Sequence, residues 1–101
     1  VIGIARVAEN AEVAMSRLQP GEILVTRATS PAYNLVLTIV GGLITAEGGA
    51  MSHAAVLSRE LEIPAVIGIA KVMTSIKDGD IVEIDSLRNS VTIKTKRSGS
   101  N

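Results

Sequence analysis

Any nucleophilic or proton-transfer chemistry by an imidazole in this chain must run through His53, its single histidine. There is no Cys, which excludes a thiolate nucleophile, a disulfide framework and a cysteine-ligated zinc site. One histidine cannot build a multi-histidine metal centre either. The residues leading into His53 are Gly48-Gly49-Ala50-Met51-Ser52. The glycine pair lets the backbone turn tightly and approach a ligand without Cβ obstruction. Ser52 is a favoured helix N-cap, which puts His53 on the first turn of a helix. The unpaired N–H groups and the positive end of the macrodipole there favour an anion. The neutral form of an imidazole at such a position is a nucleophile. Such a ring suits covalent transfer of an anionic group, and a phosphate on it would be stabilised by the backbone. General-base catalysis stays open, although no Ser, Cys or carboxylate partner stands at a spacing that identifies a triad. So does an ordinary capped helix start with no chemistry at all. Arg59 and Glu60 read first as a solvated helix face. Arg59 lies roughly 9 Å along the axis and roughly 240° around it from His53, so contact does not follow from helix geometry. Its long side chain could still reach an anion offset from the axis.

The elements that must position this stretch alternate. Val1–Ala8 reads as a strand, and Asn10 caps a short helix over Ala11–Leu18 that Pro20-Gly21 ends. Ile23–Thr26 is a short buried strand. Ser30-Pro31 has the form of a helix start, and the spacing predicts a helix over Ala32–Val40. Gly41-Gly42 breaks it before a strand at Leu43–Thr45. The helix carrying His53 is expected over His53–Glu62, with Pro64 as its stop and a strand at Ala65–Ile69. A turn or short helix over Lys71–Ile76 leads to the turn Lys77-Asp78-Gly79-Asp80. Ile81–Asp85 and Ser90–Lys94 form a hairpin. Strands alternating with helices indicate an α/β fold, to which the hairpin adds an antiparallel piece. One domain over residues 1–95 is expected, and the polar 96–101 reads as a disordered tail or linker remnant.

Composition narrows the partners. The chain has 101 residues, 47% hydrophobic, with ten basic and ten acidic residues and a formal net charge of zero. That leaves no basic footprint for nucleic acid or an anionic membrane, and a single aromatic residue gives no stacking platform. The longest apolar stretch, around Leu35–Ile44, is far shorter than the roughly 20 residues of a spanning helix. With no signal-peptide pattern, a cytoplasmic location is expected. The chain opens on Val1 inside a strand pattern, which fits an excised domain of a longer polypeptide as well as a processed one.

Gly48-Gly49-x-x-Ser52-His53-Ala54-Ala55, followed by Ser58-Arg59-Glu60-Leu61-x-Ile63-Pro64-Ala65-Val66-x-Gly68, resembles the phosphohistidine signature of phosphoenolpyruvate-utilising enzymes. These include phosphoenolpyruvate synthase, pyruvate phosphate dikinase and enzyme I of the sugar phosphotransferase system. Pro20–Val25 with Thr29-Ser30-Pro31 is similar to the family's upstream strand and helix start, and Asp78–Asp85 to its closing strand. The resemblance implies a three-layer β/β/α swivelling phosphohistidine domain. It implies that His53 is the phosphoacceptor, with Gly48, Gly49 and Ser52 as the turn and cap around it and Arg59 near the phosphoryl group. The domain would shuttle phosphate between a nucleotide-binding domain and a phosphoenolpyruvate- or pyruvate-binding domain, in cis or in trans. It would bind no metal or cofactor itself, ATP and Mg²⁺ belonging to the partner domains, and would not turn over alone. Met51 replaces the Thr that many family members carry, which removes regulatory phosphorylation at that position by residue type. Ala50 replaces a frequent Arg, and Ser52 a Cys found in some synthases. These departures leave a rifampicin phosphotransferase-like carrier, an enzyme I-like carrier and a non-catalytic anion-binding docking module as alternatives.

Overall fold

A computed structural model describes residues 1–96. Six strands, β1 (Ile2–Val7), β2 (Ile23–Thr26), β3 (Gly42–Thr45), β4 (Ala65–Val66), β5 (Ile81–Asp85) and β6 (Ser90–Thr95), form one sheet in the order β4-β3-β2-β1-β5-β6. The first four run parallel, and β5 and β6 are added antiparallel beyond β1. The helices are α1 (Ala11–Arg17), α2 (His53–Glu60) and α3 (Val72–Ser75). Every residue of β2 and β3 is buried, as expected of central parallel strands covered on both faces.

Alternation along these two strands separates two cores. Ile23, Val25 and Ile44 point into one, which they share with Val82 and Ile84 of β5 and with Val72 and Ile76 around α3. The sheet therefore curls until β5 lies against the face of β3, so close that a Cβ on Gly42 would stand 2.8 Å from Ile84 Cδ1. Leu24 and Leu43 point the other way, onto Ala14, Leu18, Tyr33, Val36, Leu37 and Ala54. Strand against strand on one side and helices on the other give the β/β/α layering. The curl is tied at its rim by Asn89, in the β5–β6 turn, whose amide bonds both the N–H and the carbonyl of Ile67 just beyond β4, each at 2.9 Å.

Two elements depart from expectation. Ala32–Val40 is not one α-helix but two 3₁₀ turns, Pro31–Tyr33 and Val36–Thr38. Tyr33, Val36 and Leu37 do share a helical face, but the backbone bonds tighten to i−3, and the Thr38 hydroxyl takes the Leu35 carbonyl at 2.6 Å. The short connection must also close between Gly21 and Gly41, which a Cβ on Gly41 would obstruct at 2.3 Å from the Gly21 oxygen. The strand expected over Ala65–Ile69 ends at Val66, because Gly68, at φ 82°, folds back so that Gly68 and Ile69 both donate to Thr45 O. Helix α2 stops at Glu60, with Glu62 in the left-handed region at φ 57° before Pro64. Of the expected polar tail, Lys96 is described, with its ammonium 2.8 Å from Ser75 O and 3.1 Å from Asp80 Oδ2, while 97–101 lie outside the described residues.

Candidate functional site

The C-terminal ends of the parallel strands, where α/β sheets place their ligands, carry the His53 site. Backbone bonds continue past the strand ends, from Ala46 N to Thr26 O at 3.1 Å and from Glu47 N to Arg27 O at 2.9 Å. They hold the loop after β2 beside the glycine turn after β3. Gly48 needs its hydrogen: its φ is 112°, and a Cβ would stand 2.9 Å from Ser52 Oγ. Gly68 packs on the same turn, since a Cβ there would meet Gly48 O at 2.7 Å. Gly49 differs, with nothing within 4 Å of where a Cβ would lie, so the space beside it is open.

Ser52 caps α2 as expected. Its Oγ accepts from Ala55 N at 3.2 Å and donates to Gly49 O at 2.8 Å, locking turn to helix. The N–H groups of Ser52 and Val56 go to Gly49 O and Ser52 O. Those of His53 and Ala54 remain the open donors of the first turn among the described residues.

The half-buried His53 ring is held from both sides. Its Nδ1 lies 2.7 Å from Thr29 Oγ1 in a partly buried contact, and its Nε2 lies 3.1 Å from Asn34 Oδ1 in an exposed one. Both partners come from the β2–β3 connection. Ser30 caps the 3₁₀ turn between them, and the Tyr33 hydroxyl is pinned 2.9 Å from Thr26 Oγ1. Gly48, Gly49, Ser52 and His53 are thus brought together. Arg59 is exposed at the other end of α2, its Nη2 reaching back to the Ala50 carbonyl at 3.3 Å. It leans over the glycine turn rather than against the ring. In the sequence Thr29 stands out only as part of a helix-start pattern, and nothing marks Asn34. Their position after the strand adjacent to β3 is the signal that could have found them.

Grooves of about 310 Å³, beside α1 and Asp78, and about 180 Å³, between α3 and β6, are lined by none of the site residues. No cluster of three or more His, Asp or Glu side chains able to hold a metal occurs among the described residues. Among them, too, no helix is long and apolar enough to cross a membrane.

A short capped helix presenting one imidazole beside free N–H groups, on a curled β/β/α frame, defines a class of domain, and comparison with known proteins agrees. The profile described as "PEP-utilising enzyme, mobile domain" matches residues 18–89. The chain belongs to that family. Chondramide synthase cmdD of Chondromyces crocatus is 47% identical over 92 residues, which is 90% of this chain and 2% of that protein. Phosphoenolpyruvate synthase of Aeropyrum pernix is 37% identical over 89 residues, 88% of this chain and 11% of the synthase. The NMR solution structure of an Enzyme I protein superposes with a TM-score of 0.68 at 32% identity, over 83% of this chain and 35% of that one. The chain therefore corresponds to a small part of its longer relatives.

Proposed function

We propose that this chain is a phosphoryl-carrier domain whose His53 is transiently phosphorylated. It would move phosphate between a nucleotide-binding domain and a phosphoenolpyruvate- or pyruvate-binding domain of a cytoplasmic phosphotransferase. The observation that carries the reading is the mounting of the ring: Thr29 holds Nδ1 from within, while Nε2 faces outward at the start of α2. In the first step a bond forms between a ring nitrogen and phosphorus as the donor's P–O bond breaks. In the second that N–P bond breaks toward the acceptor. Two-step transfer of this kind is nucleophilic catalysis, and its demands are positioning and charge stabilisation.

In this reading the open N–H groups of His53 and Ala54 receive phosphoryl oxygens. The space beside Gly49 admits the group, Ser52 keeps turn and helix in register, and Arg59 approaches over the turn. ATP and Mg²⁺ are supplied by partner domains, so the chain alone has no turnover. The test is phosphorylation of the full-length polypeptide that carries this domain. Acid-labile, base-stable phosphate should appear on His53 and vanish in His53→Ala. Label persisting in that variant, or none in the parent with competent partner domains, overturns the reading.

A further inference from the structure

We propose that Thr26 and Thr45, register partners on the last rung of β2 and β3, are positioning residues that tie the two site loops to the floor. Both side chains are fully buried, in strands otherwise built of Ile23, Leu24, Val25, Gly42, Leu43 and Ile44. Valine has nearly the shape of threonine and would bury no hydroxyl, so packing alone does not call for Thr at either place. The two hydroxyls reach out of the strands instead. Thr26 Oγ1 lies 2.9 Å from the hydroxyl of Tyr33, itself buried. Thr45 Oγ1 donates to Glu47 O at 2.8 Å and accepts from Gly68 N at 3.3 Å. Each bond goes to one of the loops that form the site.

The first bond closes the neck of the loop over 26–33. Thr29, which meets His53 Nδ1, lies inside that closed loop, and Asn34, which meets Nε2, directly follows Tyr33. Within the loop Tyr33 N donates to Ser30 O at 2.9 Å, so neck and turn are joined. Two hydroxyls can exchange donor and acceptor roles without losing their bond, so this tie holds whichever way the protons point. The second bond fixes the Glu47 carbonyl, one residue before Gly48, whose turn runs into the Ser52 cap. It also joins that turn to Gly68, which packs on Gly48 O. The ring is thus gripped by one loop and mounted on the other, and both loops are anchored side by side on one rung. The consequence for transfer rests on the carrier reading above. On that reading the ring nitrogen and the first-turn N–H groups must meet one phosphoryl group, and a shift between the loops separates them. The placement of the ring does not itself depend on phosphorylation.

Crossed variants separate positioning from stability. Thr26→Val combined with Tyr33→Phe removes both hydroxyls at nearly constant shape, leaves no polar group unsatisfied, and should unfold close to the parent. Its loop is untied all the same. Nuclear Overhauser contacts between Thr29 and the His53 ring should weaken, and phosphorylation of His53 in the full-length polypeptide should slow about tenfold to hundredfold. Thr26→Ser behaves in the opposite way: it loses a buried methyl and some stability but keeps the hydroxyl. Its ring contacts should persist, with phosphorylation within about twofold of the parent. Thr45→Val should move the Glu47 carbonyl-carbon shift and slow phosphorylation while the Thr29 contacts stay at parent strength, because that hydroxyl serves the other loop. Thr45→Ser should restore both. Ring contacts and rates that follow stability across these variants overturn the proposal, as do unchanged Thr29 contacts in the double variant. If the full-length parent never phosphorylates His53, the carrier reading falls. Weakened ring contacts in the double variant and a moved Glu47 shift in Thr45→Val then still leave the rung standing.

Discussion

Beneath His53 the strands β2 and β3 are buried at every residue, whereas Thr29 and Asn34, which grip the ring, are half-buried and exposed. The floor is packed on two faces by two separate cores. The rim is held by caps, glycine turns and side-chain hydrogen bonds. This division separates two requirements. Accurate placement comes from strands that cannot shift without disturbing both cores, and access comes from short loops with little apolar cover. The β5–β6 hairpin belongs to neither extreme: its inner side alternates into one core while β6 is largely exposed.

The contrast can be broken most forcefully at the floor. Ile44→Ala, at a fully buried position, should destabilise the fold by about 2–5 kcal/mol, while Val91→Ala, at a half-buried position on the largely exposed β6, should cost about 1 kcal/mol or less. Thermal or denaturant unfolding checks both, and equal losses would mean that the floor is not special. At the rim, Ser52→Ala should cost about 1 kcal/mol through loss of the α2 cap, with hydrogen exchange speeding mainly around 48–56. A uniform increase across the sheet would show instead that cap and floor are one cooperative unit.

The smallest effect concerns the far end of the floor. Glu22, just before β2, is bonded by Arg6 at 3.0 and 2.7 Å. The Arg6 hydrogen bond is the main cause that holds the Glu22 carboxyl below its ordinary range, against the opposing effect of burial. A depressed folded value means that this stabilisation is present above the ordinary glutamate range and is lost as pH falls through the folded value. Stability measured against pH should therefore fall on the acid side, less steeply in Glu22→Gln, with the His53 ring contacts undisturbed. An identical acid limb in that variant would assign the loss to other carboxylates.

What was legible in the sequence was local chemistry. Asn10 and Ser52 each cap the helix expected to start there, and Ser30 caps a 3₁₀ turn in place of the expected helix, because the cap bond is made within two or three residues. The β/β/α layering rested on family resemblance, since no alternation pattern announces that β5 will fold against β3. The 3₁₀ turns are hidden in the sequence because Tyr33, Val36 and Leu37 have helical spacing, while the bonds that tighten the turns depend on Thr38 and on closure between Gly21 and Gly41. At the site, Gly48, Ser52 and His53 were readable as one contiguous motif. Thr29 and Asn34 were not, since their approach to the ring depends on the neighbouring parallel strand.

The amide of Asn89 has a consequence outside the site. A sheet that curls without closing leaves an outer strand whose free N–H and carbonyl groups can template pairing with another chain. Here that strand has only two residues, and the next backbone pair, on Ile67, is already occupied by Asn89. The opposite edge, β6, carries Lys94 and borders Lys96. Both edges of the sheet are thereby guarded against pairing with other chains.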